Sequence, residues 1–531
     1  MTNDEQKKIE DAIEIIDVKA KALGLDYFDT EFLIADEELM DQLRAYVLPV
    51  RFHHWTFGKE YQKTKTLKKY GATGTIYECV INSNPAYGFL SENNNLTEMK
   101  LVIAHVFGHV DFFKNNMLFG GTNRRMATDC ALNARKIADY SFEYGDEVVE
   151  RWIDACMAIS RHCELAINYQ NDKNWMGEAE KTTIPDELDS EDEFDFMFRK
   201  EKIQKIKQWQ EEQKRSHPIM EKDLLLFLMY NRFANLEMWQ KDIMSIVRDE
   251  MRYFIPNIQT KIMNEGFAVF WHQKIIEELD MECDFLKDDD NDWYTFYAAM
   301  NARVLHPGSR GNLNPYLLGY TILNNIYKNT TGTEEEKLGH LFDIRAIHTD
   351  SSLIRNYLNE EICDELDLFT FELLGDTWTV TETNNWKRSR NILAEQLAEA
   401  HIPTMYVVDD DYHNERELYL MHDYKGEELE DESARRTLGY IARLWRRPIT
   451  IRTGAKLTYE SGIDKDNNKK SVYGEDVVVH ITHNGKKADV ILEHEPVKSV
   501  SQAAEEYYDA KWRKMKFEEQ TKENSEDDNI F

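Results

Sequence analysis

Apolar residues recur at steps of three and four from the N-terminus to about residue 380, and then the period changes. EQKKIEDAIEIIDVKAKALGL, EKDLLLFLMY, EMWQKDIMSIVRDEMRYF and EGFAVFWHQKIIEEL all carry the helical repeat, and only 10 prolines and 23 glycines are present to interrupt it. Beyond about residue 400 come short alternating or wholly apolar runs, TMYVVDD, ELYLMHDY, RPITIRT and EDVVVHITHN, around one helical stretch, ESARRTLGYIARLW. The change predicts a mainly α N-terminal domain over 1–395 and a small α+β C-terminal domain over 400–500. A polar tail over 501–531 is expected to start helical and end disordered. Within the first domain, residues 183–218 run from an acidic block into a mixed-charge helix, the signature of an exposed insertion.

A chemical constraint sits inside the helical part. In LVIAHVFGHVDFFKNN, His105 and His109 are four residues apart, so a helix puts both imidazoles on one face. The flanking LVIA and DFF are apolar enough to bury the pair, and a buried imidazole needs a partner. That partner is either a shared metal ion or a backbone or carboxylate group of the core. Asp111 and Lys114 follow closely and are placed to orient the pair or cap the helix. The run resembles the HEFGH helix of zinc peptidases, except that Val106 stands where their catalytic glutamate would be. Valine neither takes nor returns a proton, so such a helix would bind metal without supplying the usual base.

A second run, KIMNEGFAVFWHQKI, places Glu265 and His272 two helical turns apart on one face. In glutamate-type zinc peptidases a helix like NEGFA supplies the carboxylate that completes a two-histidine site. The resemblance therefore implies His105, His109 and Glu265 as ligands of one divalent metal, zinc first, with His272 in or beside the shell. The 156 residues between His109 and Glu265 depart from those peptidases, and a buried ion pair is the plainer role for Glu265. If the site hydrolyses anything, its base must come from elsewhere, with Glu250 and His272 first and Glu78 and Glu92 after them, because each adjoins an apolar, aromatic or Asn-rich run. The runs RFHHWTFGKEYQK and HPGSRGNLNPYLLGY read as ordered loops, the second able to turn Arg310 and Asn314 toward a cleft.

The charge balance narrows the partners. With 65 Lys and Arg against 98 Asp and Glu, the chain carries −33 and repels nucleic-acid phosphates and anionic membranes. No run of about 18 apolar residues is present, the N-terminus has no signal-peptide core, and the six cysteines form no CxxC pair. A cytoplasmic protein with no membrane span and no nucleic-acid partner is expected.

Taken in order, RFHHWTFGKEY, INSNPAYGFLSENN, LVIAHVFGHVDFFKNN, MNEGFAVFWHQKI and NPYLLGY resemble the stage V sporulation protein R (SpoVR) family. MYVVDDDYHNERELYL and LGYIARLWRRPI resemble that family's C-terminal region, so the likeness spans nearly the whole chain. It implies a cytoplasmic protein connected with spore cortex peptidoglycan in spore formers and with stress physiology elsewhere. It also implies partners, a PrkA-like serine kinase and a von Willebrand A-like protein. Two functions compete: a degenerate zinc-peptidase-like hydrolase acting on a peptide or peptidoglycan-precursor amide, and a non-catalytic regulatory protein working with the kinase. Metal content separates them.

Overall fold

The computed structural model describes residues 3–46, 48, 50–69, 78–165, 220–231, 233–287, 293–306, 313–368, 371–374, 377–380, 386–398, 402–463 and 469–527. The expected insertion at 183–218 lies outside them. The chain forms two compact units, one made of Met1–Glu150 with Asp249–His401 and the other of Arg151–Arg248 with Ile402–Phe531. The expected division near 395 to 400 is linear, whereas here residues 151–248 cluster with the C-terminal strands. Helical periodicity says that a segment buries one face; it does not say against which core.

The first unit is mainly α. At its centre is the helix Leu96–Asn115, called the histidine helix below, with an unbroken buried stretch from Met99 to Phe113. A helix buried all round cannot lie on the surface, and it is flanked by the helices Asn3–Ala22, Lys261–Cys283 and Trp293–Val304. Asn3–Ala22 turns Ile9, Ala12, Ile16 and Ala20 inward, the spacing of one helical stripe. A small sheet adjoins this core. In it β1 (Thr30–Ala35) pairs parallel with β3 (Ala86–Ser91), and β2 (Glu78–Ile81) pairs antiparallel with β3. These strands were not expected, because TEFLIA, ECVI and AYGFLS are too short to stand out beside long helical repeats. A further hairpin joins β4 (Phe371–Leu374) to β5 (Thr377–Val380).

The second unit contains the strands expected from the alternating runs: β6 (Met405–Tyr412), β7 (Glu417–His422), β8 (Ile449–Ile463) and β9 (Lys469–His483). β10 (Ala488–Pro496) completes a sheet of order β10-β9-β8-β7-β6. The helix Asp431–Trp445 makes the crossover between the parallel strands β7 and β8, and every other pairing is antiparallel. The helix Val500–Asp527 lays Val500, Ala503, Ala504 and Tyr508 against Val408, Tyr419 and Met421. The helical start expected of the tail is this helix, which runs to Asp527.

Candidate metal centre

The histidine helix begins with a capping box: the Asn95 side chain accepts from Glu98 N at 2.8 Å, and Asn95 N donates back to Glu98 Oε2 at 3.0 Å. Near its other end Asp111 is gripped by Arg345 at 2.6 and 3.2 Å and accepts from Asp26 N at 2.7 Å. Burial pushes the Asp111 carboxyl up to about 6, against the pull of Arg345. With both ends tied, the rotation of the helix is fixed. Val106, at the position of the missing glutamate, is fully buried and packs on β3, where a Cβ added to Gly88 would come within 3.1 Å of Val106 Cγ1.

The carboxylate arrives on Lys261–Cys283, the glutamate helix. Its N-cap Thr260 makes no side-chain cap; Asp350 supplies one from a distance, accepting from Ile262 N at 2.9 Å and Met263 N at 2.8 Å. Two close crossings then set its position. A Cβ on Gly108 would lie 2.9 Å from Ala268 Cα, and one on Gly266 only 2.2 to 2.5 Å from the backbone of Gly319 and Tyr320. Glycine at 266 is what allows the glutamate helix to touch the helix Pro315–Asn329 backbone to backbone.

These constraints bring His105, His109 and Glu265 together, with one ligand atom from each within 4.8 Å of the others. Glu265 Oε2 is 3.3 Å from His109 Nε2 and 3.7 Å from His105 Nε2. The opposite ring nitrogens are engaged elsewhere. His109 Nδ1 meets Asn264 Oδ1 at 2.9 Å, and His105 Nδ1 meets His272 Nδ1 at 2.9 Å. Asn264 Oδ1 can only accept, so His109 donates to it through Nδ1 and turns Nε2 toward a carboxylate oxygen. An Nε2 so placed meets the carboxylate in one of two ways, by donating a proton to it or, as a lone pair, by sharing a cation with it. The donor set suits zinc, iron or manganese. The two histidine side chains keep 5 and 8 % of their exposure and Glu265 keeps 17 %, although Glu265 Oε2 itself is buried. Burial raises the Glu265 carboxyl, but the hydrogen bonds and charges of His105 and His109 outweigh it and hold the group well below the usual carboxylate range.

Of the other expected residues, His272 adjoins the trio and Glu250 does not. Burial and the neighbouring His105 push the His272 imidazole down to about 3, so it is neutral in neutral solution. Glu250 pairs with Arg51 at 2.7 and 2.8 Å and contacts Cys130 Sγ at 3.5 Å. Asn314 caps its helix, accepting from Tyr316 N at 3.0 Å, and Tyr316 stacks on His105 with ring centroids 6.2 Å apart. His54 is buried beside Thr56, while Arg310 and the side chain of Glu78 lie outside the described residues. Reading the sequence gave no role to Asn264, Asn301 or Asp350. Asn264 stood in the quoted NEGFA run; the other two had no local signal at all.

The model of the family described as "SpoVR like protein" matches residues 3–402, which carry the whole trio. The chain belongs to the SpoVR family. The SpoVR-like C-terminal domain matches residues 403–455. A curated relative, the "Uncharacterized protein YcgB" of Escherichia coli (strain K12), is 30% identical over 469 residues, covering 81% of this SpoVR-family chain and 88% of the relative. No solved structure matches the chain. Among the described residues no helix is long and apolar enough to cross a membrane.

Proposed function

We propose that His105, His109 and Glu265 hold one divalent metal ion, zinc in first place, and that the protein is a metal-dependent amide hydrolase lacking the usual helix glutamate. One observation carries the metal reading: both ligand imidazoles have their Nδ1 atoms engaged, by Asn264 and by His272, and present Nε2 to a buried carboxylate oxygen. Three protein ligands match the catalytic rather than the closed structural pattern of zinc sites. A bound ion would supply Lewis acidity toward a carbonyl oxygen. The chain's own part is to hold and orient. In this reading His272, with both ring nitrogens engaged, serves the ligand set, and Glu250 stays with Arg51. The substrate class is a peptide or peptidoglycan-precursor amide, in keeping with the cortex role that the family resemblance implies for a cytoplasmic protein.

The full-length chain, purified without chelators, should contain about one zinc, iron or manganese ion by elemental mass spectrometry. His105→Ala, His109→Ala and Glu265→Gln should each lose it. The metal-loaded protein should release amino groups from peptidoglycan peptides, and the Glu265→Gln protein should not. A wild-type chain with neither bound metal nor affinity for added zinc, iron or manganese would overturn the reading. It would favour the regulatory alternative, a protein working with a PrkA-like serine kinase and a von Willebrand A-like protein.

A further inference from the structure

The two ligand imidazoles are oriented by different devices. His109 is held by consecutive residues of one helix, with Asn264 at Nδ1 and Glu265 facing Nε2. His105 is reached through a chain. Its Nδ1 is 2.9 Å from His272 Nδ1, and His272 Nε2 is 2.9 Å from Asn301 Oδ1 on the helix Trp293–Val304. Gln273 Nε2 donates to that same Asn301 oxygen at 3.3 Å, which identifies the oxygen as an acceptor. The direction of every bond then follows. An acceptor at Asn301 requires the His272 proton on Nε2, which leaves His272 Nδ1 as a lone pair. That lone pair requires the His105 proton on Nδ1, which in the neutral imidazole leaves Nε2 unprotonated on the side of Glu265.

We infer that Asn301, acting through His272, is a positioning residue that sets the tautomer of His105 and thereby readies its Nε2 as a metal ligand. The inference rests on the metal reading for its purpose but not for its geometry. It also gives the glutamate helix a second task. One face of that helix carries Glu265 toward the metal position and, two turns on, His272 as the support of a partner ligand. Outer partners of this kind fix ring orientation and raise ligand basicity, and losing one lowers metal affinity by about 10–100-fold.

Nitrogen-15 NMR of histidine-labelled, metal-free full-length protein reads the tautomers directly, and chelator competition reads zinc affinity. In the wild type, His105 and His109 should both show a protonated Nδ1 and a bare Nε2, and His272 the reverse. Asn301→Leu and His272→Phe should abolish the preference at His105 while His109 keeps its own, with zinc affinity lower by about 10–100-fold. Asn301→Asp, which keeps the acceptor, should retain the His105 tautomer, as a merely structural role would not require. A His105 proton found on Nε2 in the wild type, or a tautomer unchanged in folded Asn301→Leu, would overturn the inference. If the tautomers are as stated and zinc does not bind, the metal reading fails and the relay stands.

Discussion

Glu250 is buried and Glu265 nearly so, on consecutive helices in the first unit, and their charges are met in different ways. Glu250 faces Arg51, which reaches it with Nε at 2.8 Å and Nη2 at 2.7 Å. A guanidinium is always charged and its fork fits a carboxylate, so that pair is electrically complete. Burial pushes the Glu250 carboxyl up and Arg51 pulls it back. Glu265 faces two imidazoles, with His109 Nε2 at 3.3 Å and His105 Nε2 at 3.7 Å. In the proposed reading a bound ion neutralises its charge. In that reading what separates a structural carboxylate from a ligand is whether the facing group carries a permanent charge, as a guanidinium does and an imidazole does not.

The largest expected effect tests the ligand half of this comparison. Glu265→Gln keeps the side chain's shape and removes its charge, so metal content should fall from about one ion per chain to near zero. The zinc-induced rise in melting temperature should vanish with it. In the wild type, free zinc at 100 times its dissociation constant should add about 2.7 kcal/mol of stability. Wild-type metal content in the Gln variant would break the contrast. Next in size is Arg51→Met, which strands Glu250 as a buried unpaired charge and should cost about 3–5 kcal/mol in urea unfolding. Zinc binding by the folded variant should be unchanged. The double variant Arg51→Met/Glu250→Leu should recover most of the loss, since an apolar pair of similar volume replaces a desolvated ion pair at little cost.

Gly266→Ala sharpens the comparison from the side of packing. Its new methyl group would meet the backbone at Gly319, which cannot swing aside as a side chain can. Overpacking of this kind costs about 1–3 kcal/mol, and this site belongs at the upper end. Because Glu265 is the preceding residue, the variant should weaken zinc binding as well as stability. Gly266→Ala binding zinc as the wild type does would show that the trio tolerates movement of the helix.

The sequence made some of this legible and hid the rest for definable reasons. The i, i+4 histidines and the acidic NEGFA run were readable because helical geometry acts over a few residues. Four strands, β6 to β9, were readable from their alternating or apolar runs; β1–β5 were too short and β10 too mixed to stand out. What the sequence could not show was long-range. Asp350 reaches Ile262 and Met263 across 88 and 87 residues, and Asn301 reaches His272 across 29. Nor could a spacing rule show that Glu250 already had Arg51, 199 residues earlier, as its partner.

Asp350 is a third way of meeting a buried carboxylate and gives the smallest expected effect. Among the described residues it meets no side-chain cation at hydrogen-bond distance, only the first amides of the glutamate helix, at 2.8 and 2.9 Å. Burial pushes its carboxyl up from 3.8 to about 7, the amides of Ile262 and Met263 pull it down, and the nearby charge of Glu265 pushes it up again. The folded chain thus holds this proton more tightly than the unfolded chain does. Its contribution to stability is fully present below about pH 4 and is lost as pH rises toward about 7. Asp350→Asn removes the titration. At neutral pH the variant loses one acceptor for an amide but also a buried charge, and these offset to about 1 kcal/mol or less. The slope is the readout: in urea unfolding across pH 4 to 7, the wild type should lose stability relative to Asp350→Asn as pH rises. Adding zinc should move that window to lower pH, because an ion on Glu265 cancels the charge that helps raise Asp350. A pH-independent difference would mean that the two amides alone keep Asp350 ionised, and a window unmoved by zinc would mean that no cation sits against Glu265.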